Sequence, residues 1–416
     1  MKKTVLLILV LCATFRMFAQ DEEKEQDYGI KFSGFVKNDF FYDSRQIYDI
    51  RDRHFLFFPK PISKDVYGDD INANPSINFL SIQSRLKGTI TGPDAFGAKT
   101  SGILEADFFG NVSNIFRLRH AIVKFNWTNT ELITGQYWHP MFVTGCFPGT
   151  VSFSTGVPFQ PFSRNPQIRV TQKFGSLNVI AAAMTQRDFS SPGGYSVLSN
   201  SGLPDLHGQV QFTSGDIFAG GGLGYKILKP SLTDALGNKS DATVGGVYAI
   251  GFAKIKIELL TIKVEGIYGQ NMHDLLMTNG YAYSKFDITN GDIEYTPMNN
   301  ISLWTDVHTN GKEYQVGLFV GYMKNLGANK DLVADPGGNM IFTRFNNDML
   351  DYAFRISPRI IFNSGKTRIA GEIEYTGAAY VTTDDQGNIN MNSKGKITDS
   401  ETVGNLRLLL AVYYFF

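Results

Sequence analysis

Charged side chains that recur at every second position are the residues of this sequence with chemistry to offer. In INFLSIQSRLKGTI, Leu80, Ile82, Leu86 and Ile90 share one parity and face one way; Gln83, Arg85 and Lys87 face the other. One hairpin further on, GILEADFF places Glu105 and Asp107 on the polar parity, and PQIRVTQKF adds Arg169 and Lys173, with Arg164 just before it. FRLRHAIVKFNW is less regular: Arg117 and Arg119 share the parity of Ala121, Val123, Phe125 and Trp127, so a bulge intervenes or the arginines lie beyond the apolar zone. With Arg187, these cations would form a basic ladder on one wall, where a low-dielectric surround focuses a positive field and concentrates anions. The competing reading is that the arginines pair with Glu105 and Asp107 merely to neutralise a wet interior.

Covalent chemistry finds less support. A hydrolase needs a serine with a histidine, or paired carboxylates, gathered at one height. His54, His120, His139, His207, His273 and His308 are scattered, and no GxSxG segment occurs. DDQGN at 384–388 has the start of a calcium loop without the following ligands and reads as a turn. Beyond Cys12 there is one cysteine, Cys146, so cysteine-built metal sites and an internal disulfide are excluded. No cofactor or metal is expected.

The elements that must position these charges are strands. In VGNLRLLLAVYYFF, Leu406, Leu408, Leu410, Val412, Tyr414 and Phe416 form an unbroken apolar stripe, opposed by Asn405 and Arg407. Such a strand in water would aggregate, whereas a closed barrel in lipid covers both its face and its edges. At the other end, Lys2 and Lys3, the run VLLILVLCA and an exit at Ala19 read as a signal peptide over 1–19. Its removal takes away Lys2, Lys3 and Arg16 and no acids, moving the net charge from zero to −3, which does not suit a nucleic-acid binder. A charged lead-in, 20–29, precedes a barrel domain over 30–416.

The first strand alternates Ile30, Phe32, Gly34, Val36 and Phe40 with Lys31, Ser33, Lys37 and Asp39, charges that a water-filled lumen accepts. Strands are expected near 30–43, 77–91, 98–109, 115–127, 130–138, 166–174, 176–187, 206–213, 216–226, 243–256, 258–270, 297–308, 311–324, 350–362, 366–380 and 403–416. That makes about sixteen, and an even number returns both termini to the periplasm. Tight turns such as Gly92-Pro93-Asp94, Thr128-Asn129, Gly175 and Asn310-Gly311 alternate with long connections at 44–76, 139–165, 188–205, 227–242, 271–296, 325–349 and 381–402. Short turns on one side and long loops on the other describe an all-β transmembrane antiparallel barrel with short periplasmic turns and long extracellular loops. Aromatic clusters at strand ends, Phe40-Phe41-Tyr42, Phe108-Phe109, Phe125 with Trp127, Tyr137-Trp138 and Tyr413-Tyr414-Phe415-Phe416, suit interfacial girdles. SLNVIAAAM is apolar on both parities and predicts a wall covered on both sides, and Pro358 predicts a bulge.

The connection 139–165 carries Phe142, Phe147, Phe153, Phe159 and Phe162 and almost no charge before Arg164. A water-exposed loop rarely shows five phenylalanines, so this one is expected to fold inward and narrow the barrel; the alternative is packing at an oligomer interface.

The succession GFVKNDFFYD, SIQSRLKG, LEADFFG, FRLRHAIVKF, LITGQYW and NPQIRVT resembles the DcaP-like outer-membrane porins, in a form common among Bacteroidetes-type bacteria, most clearly over 30–174. The resemblance implies a sixteen-stranded homotrimeric diffusion channel for dicarboxylate-like and other small anionic solutes, in the outer membrane of a Gram-negative cell, in contact with lipid and lipopolysaccharide. It also implies that Arg85, Arg117, Arg119 and Arg169 stand at the family's arginine positions and that Tyr414 and Phe416 form the signal read by barrel-assembly machinery. The lead-in 20–29 lacks the longer amino-terminal helical segment of some members. The pore-lining set expected is therefore Arg85, Lys87, Glu105, Asp107, Arg117, Arg119, Arg164, Arg169 and Lys173. The rivals are an outer-membrane barrel enzyme and a plugged structural or adhesive barrel.

Overall fold

The computed structural model describes residues 28–110, 115–344 and 349–416. The expected signal peptide 1–19 and nearly all of the expected lead-in 20–29 lie outside the described residues. A single sheet of nineteen strand segments closes on itself. Two of these, Tyr281–Phe286 and Ile341–Phe342, belong to external loops, and Ser76–Leu80 with Arg85–Thr91 are one strand broken at 81–84, which leaves sixteen barrel strands. The others are Gly29–Asp43, Lys99–Asp107, Arg117–Asn126, Thr130–Trp138, Arg164–Phe174, Leu177–Met184, Asp205–Ser214, Ile217–Leu228, Val244–Lys256, Leu260–Gln270, Ile293–Thr309, Tyr314–Ala328, Leu350–Ser364, Thr367–Val381 and Ser400–Phe415. Closure is antiparallel: the first strand pairs with the last, Phe35 opposite Phe415 and Asp43 opposite Arg407, and with the second, Gly29 opposite Thr91.

Parity decides which side each residue meets. Ile30, Phe32, Val36, Phe40, Leu406, Leu408, Leu410 and Tyr414 are exposed on the outer wall, while Lys37, Asp39, Asp43, Asn405 and Arg407 are buried inside. The same division holds for Ile168 and Phe174 against Gln167, for Leu206, Val210 and Phe212 against His207 and Gln209, and for Ile369, Ile373 and Tyr375 against Glu372 and Glu374. An apolar outer band on a closed barrel is the lipid-facing surface of an outer-membrane protein.

Several expectations need correction. The break at 81–84 shifts the parity, so Ile77 and Phe79 face lipid, and Leu80 and Ile82 turn inward against the interior cluster. Pro358 makes no bulge: Ile356 stays opposite Tyr375 and Arg359 opposite Glu372, an unbroken register, because only one missing N–H on an outward-facing residue has to be tolerated. The shift in that hairpin lies instead between Leu350 and Tyr352. The aromatic clusters split by parity, with Phe40, Tyr42, Phe108 and Tyr414 outside and Phe41, Phe109 and Tyr413 buried inside. Trp138 stacks on Phe142 inside the barrel at 3.9 Å. The segment 384–388 is a turn as expected: Asp384 Oδ1 accepts the N–H groups of Gln386 and Asn388, an arrangement repeated by Asp65, Asp234 and Asp335 at other loop tips.

The wall is uneven. The third to seventh strands have 8 to 11 residues, whereas the twelfth to sixteenth have 15 to 17. The barrel is thus low on one side and tall on the other.

Candidate functional site

Two loops enter the lumen. Segment 139–163 does so as its phenylalanines predict: Phe142, Phe153, Phe159 and Phe162 are buried in one apolar cluster with Trp304, Phe319 and Met323 of the wall. The first loop joins it, which the sequence reading did not foresee. Its hairpin Ile47–Ile50 with Phe55–Pro59 buries Phe55, Phe57 and Phe58 in the same cluster, and Leu56 is buried beside them. The signal was present, since FLFF is four consecutive apolar residues in a loop.

The inward segment leans on the tall wall. Ser302 Oγ donates to the Phe159 carbonyl at 2.9 Å, and Arg355 Nη1 to the Val157 carbonyl at 2.9 Å. At its tip, the Glu372 carboxylate accepts the N–H groups of Val151 and Ser152, and Lys37 Nζ donates to the Val151 carbonyl at 3.0 Å. The charges beneath are paired: Arg359 makes a two-pronged pair with Asp306 at 2.7 and 3.0 Å, and Arg407 another with Asp43 at 2.8 Å on both prongs. The side chains of Lys37, Arg355, Arg359 and Arg407 are at most 2% exposed.

Across the lumen stands the basic wall, built by the short strands. A bulge resolves the parity conflict: Glu105 is opposite His120 but Ala106 is opposite Leu118, so Arg119 is the extra residue and both it and Arg117 point inward. Arg119 bonds Glu105 at 2.7 Å and Asp107 at 2.9 Å, and Arg117 grips Asp107 at 2.8 and 3.0 Å. Arg85 lies 3.6 Å from Glu105 and stacks over Phe35. From the loops, Asp188 takes Arg164 at 2.7 Å and Arg51 at 2.7 Å. Five guanidinium groups therefore share three carboxylates. Arg169 adds a sixth, held over the Tyr137 ring and bonded to Gln167 and the Trp138 carbonyl.

Both sequence readings of these arginines hold a share: the acids do pair with them, and an excess of positive charge remains. Arg85 and Arg117 keep 23% and 21% of their side chains exposed, so this cluster keeps solvent access. Arg119, Arg164 and Asp107 are buried behind them, Glu105 nearly so. Lys87 is half-buried on the inner face and Lys173 exposed near the periplasmic turn. Arg187 departs from the expected ladder: it is exposed and lies 5.5 Å from the Tyr195 ring. Arg51 was missed, because a charge in a loop carries no parity. Among the described residues, no group of three or more metal-ligating His, Cys, Asp or Glu side chains occurs.

Fold and lumen together define a closed sixteen-strand, porin-like outer-membrane β-barrel. It is similar to the outer membrane channel DcaP of Acinetobacter baumannii, with a TM-score of 0.69 and 17% identity over 95% of this chain and 99% of that one. It is also similar to an anion-selective porin from Comamonas acidovorans (TM-score 0.54, 12% identity, 94% and 100% covered) and to OmpT of Vibrio cholerae (0.53, 13%, 95% and 100%). At such identities the likeness is one of fold. No family model and no curated protein sequence matches the chain.

Proposed function

We propose that this barrel, exported by cleavage of 1–19, is a passive diffusion porin for small hydrophilic anions, dicarboxylate-like solutes among them. Solutes pass between the inward segment 139–163 and the basic wall of Arg85, Arg117, Arg119, Arg164 and Arg169. The observation that carries this reading is the uneven sharing of five guanidiniums among three carboxylates, in a cluster where Arg85 and Arg117 keep solvent access. An excess of fixed cations in a low-dielectric wall raises the local anion concentration without any covalent step. The fold neighbours lend support, since one is an anion-selective porin and another an outer membrane channel.

A homotrimer is part of the proposal. The low wall has strands of 8 to 11 residues against 15 to 17 on the tall side, and its outer face, with the second strand beside it, carries small residues at Gly88, Gly102 and Ala121 that admit close approach of another copy. One neighbour, OmpT of Vibrio cholerae, is described in a trimer form. Tyr414 and Phe416, exposed on the outer wall at the end of the last strand, are available to assembly machinery.

The second reading is a plugged barrel, favoured by the apolar cluster that fills much of the lumen. Planar-bilayer recording under a salt gradient separates the two. Conductance in steps of three with a reversal potential on the anion side supports the porin; cation preference keeps a pore and removes the arginine argument. Silence from correctly folded protein makes the barrel a plugged one.

A further inference from the structure

Above the constriction the external loops enclose a second site. A cavity of about 700 Å³ lies between the loops 185–204, 271–292, 329–344 and 382–399, with Met349 beside them. That is ample for a small organic solute. Its lining mixes polar side chains, Ser191 and Arg344 among them, with apolar Ile341, Met349, Ile389 and Met391.

Arg344 is the single cation of this lining and has no carboxylate partner among the described residues. Its Nη2 donates to the His273 carbonyl at 2.6 Å, its Nε is buried without a hydrogen-bond acceptor, and its plane lies over Phe57 and Phe189. His273 does not compete as a charge. Its Nδ1 is 2.7 Å from the Ser190 carbonyl, so Nδ1–H donates there, and burial together with Arg344 holds the imidazole well below its usual range and therefore neutral. The nearest acid on the neighbouring loop, Asp274, is already taken by Lys226 and by Gln186 Nε2 at 3.0 Å. Burial draws the Arg344 guanidinium down to about 10, still charged at neutral pH. On its far side, Phe189 also stacks with Arg51, 4.9 Å from the ring, which links the cavity to the basic wall below.

We propose that this cavity is a capture site for an amphipathic organic monoanion: a carboxylate that meets Arg344, joined to an apolar chain of a few carbons that lies against Ile341, Met349 and Met391. A cation with no carboxylate partner among the described residues calls for one negative charge, and four thioether or aliphatic side chains call for a body that prefers to leave water. The site deepens the channel reading by giving the solute a shape. Binding does not depend on conduction, so the two stand or fall separately.

Calorimetric titration of the purified full-length barrel in neutral detergent with sodium acetate and sodium hexanoate tests it. Hexanoate should bind roughly tenfold or more tightly than acetate, because four further methylenes are partly buried. Arg344→Gln should weaken hexanoate about tenfold through loss of the charge-assisted contact, and Met391→Ser should narrow the gap between the two acids. Equal affinity for both acids, or an Arg344→Gln barrel that binds hexanoate as wild type does, overturns the site. Should Arg344→Gln fail to fold, the acetate-to-hexanoate ratio in wild type and in Met391→Ser still decides. A barrel that binds hexanoate yet conducts nothing would leave the capture site standing and remove the porin reading.

Discussion

The two walls of the lumen use the same residue types for opposite ends. On the tall wall, Arg359 with Asp306, Arg407 with Asp43 and Lys37 with Asp39 are matched pair by pair and sealed under the inward segment. On the low wall, Arg51, Arg85, Arg117, Arg119 and Arg164 share Glu105, Asp107 and Asp188, and two of the five keep solvent access. An ion pair without water is a fastener, costly to break because the survivor is left charged and buried. A surplus cation in contact with water is weakly held and projects its field into the lumen. The side of the barrel on which a charge lies therefore predicts what its removal does.

The largest effect falls on the tall wall. Arg359→Ala strands Asp306 and should cost about 3–5 kcal/mol, read as a lower guanidinium midpoint for barrel unfolding. An unchanged midpoint would erase the distinction between the walls. Next comes Glu372→Ala, which frees the N–H groups of Val151 and Ser152. Each unmet buried donor costs about 1–3 kcal/mol, so the tip of 139–163 should detach and single-channel conductance should rise with added noise.

On the low wall, Arg85→Ala and Arg169→Ala should leave the unfolding midpoint nearly unchanged while lowering anion preference. A partly exposed guanidinium contributes about 0.5–1 kcal/mol to a passing anion, roughly two- to fivefold in permeability ratio. Unchanged reversal potentials in both variants would remove the basic wall as the source of selectivity.

The smallest effect concerns Asp188, in the loop above that wall. Burial raises its carboxyl, but Arg164 and Arg51 outweigh this and hold it below the usual carboxylate range. A depressed folded pKa gives stability that is complete above the unfolded value, about 3.9, and is lost as pH falls through the folded one. The amide-exchange protection factors of 47–59, taken relative to the intrinsic rate at each pH, should thus be steady from neutral pH to about 5 and fall only below about 4. Asp188→Asn should give the same loss of protection at neutral pH. Protection that already falls near pH 6 would mean that another group docks this hairpin.

Much of the barrel was legible because a strand's side chains alternate with period two, and lipid outside with charge inside leaves that alternation on the page: Leu406 to Tyr414 against Asn405 and Arg407 needs no tertiary knowledge. Legibility failed wherever the period broke. The turn at 81–84 reversed Leu80 and Ile82, and the bulge at Arg119 brought Arg117 and Arg119 inside, a reversal the sequence posed as a question without answering it. It failed again in the loops, which have no period: FLFF at 55–58 and Arg51 entered the lumen unannounced.

The sequence by itself determined the class of molecule, the strand count, the outward face of most strands and the inward fate of 139–163, since all of these follow from local alternation, turn chemistry and the cost of wetting five phenylalanines. Only the tertiary structure decided which arginines are fasteners and which keep their field. That depends on how many carboxylates from distant strands arrive within reach of each guanidinium, and on whether the inward segment lies over them or across the lumen from them. Asp188 meets Arg51 from 137 residues away, and Glu372 meets Ser152 from 220. Separations of that size are set by barrel closure, and no local pattern encodes them.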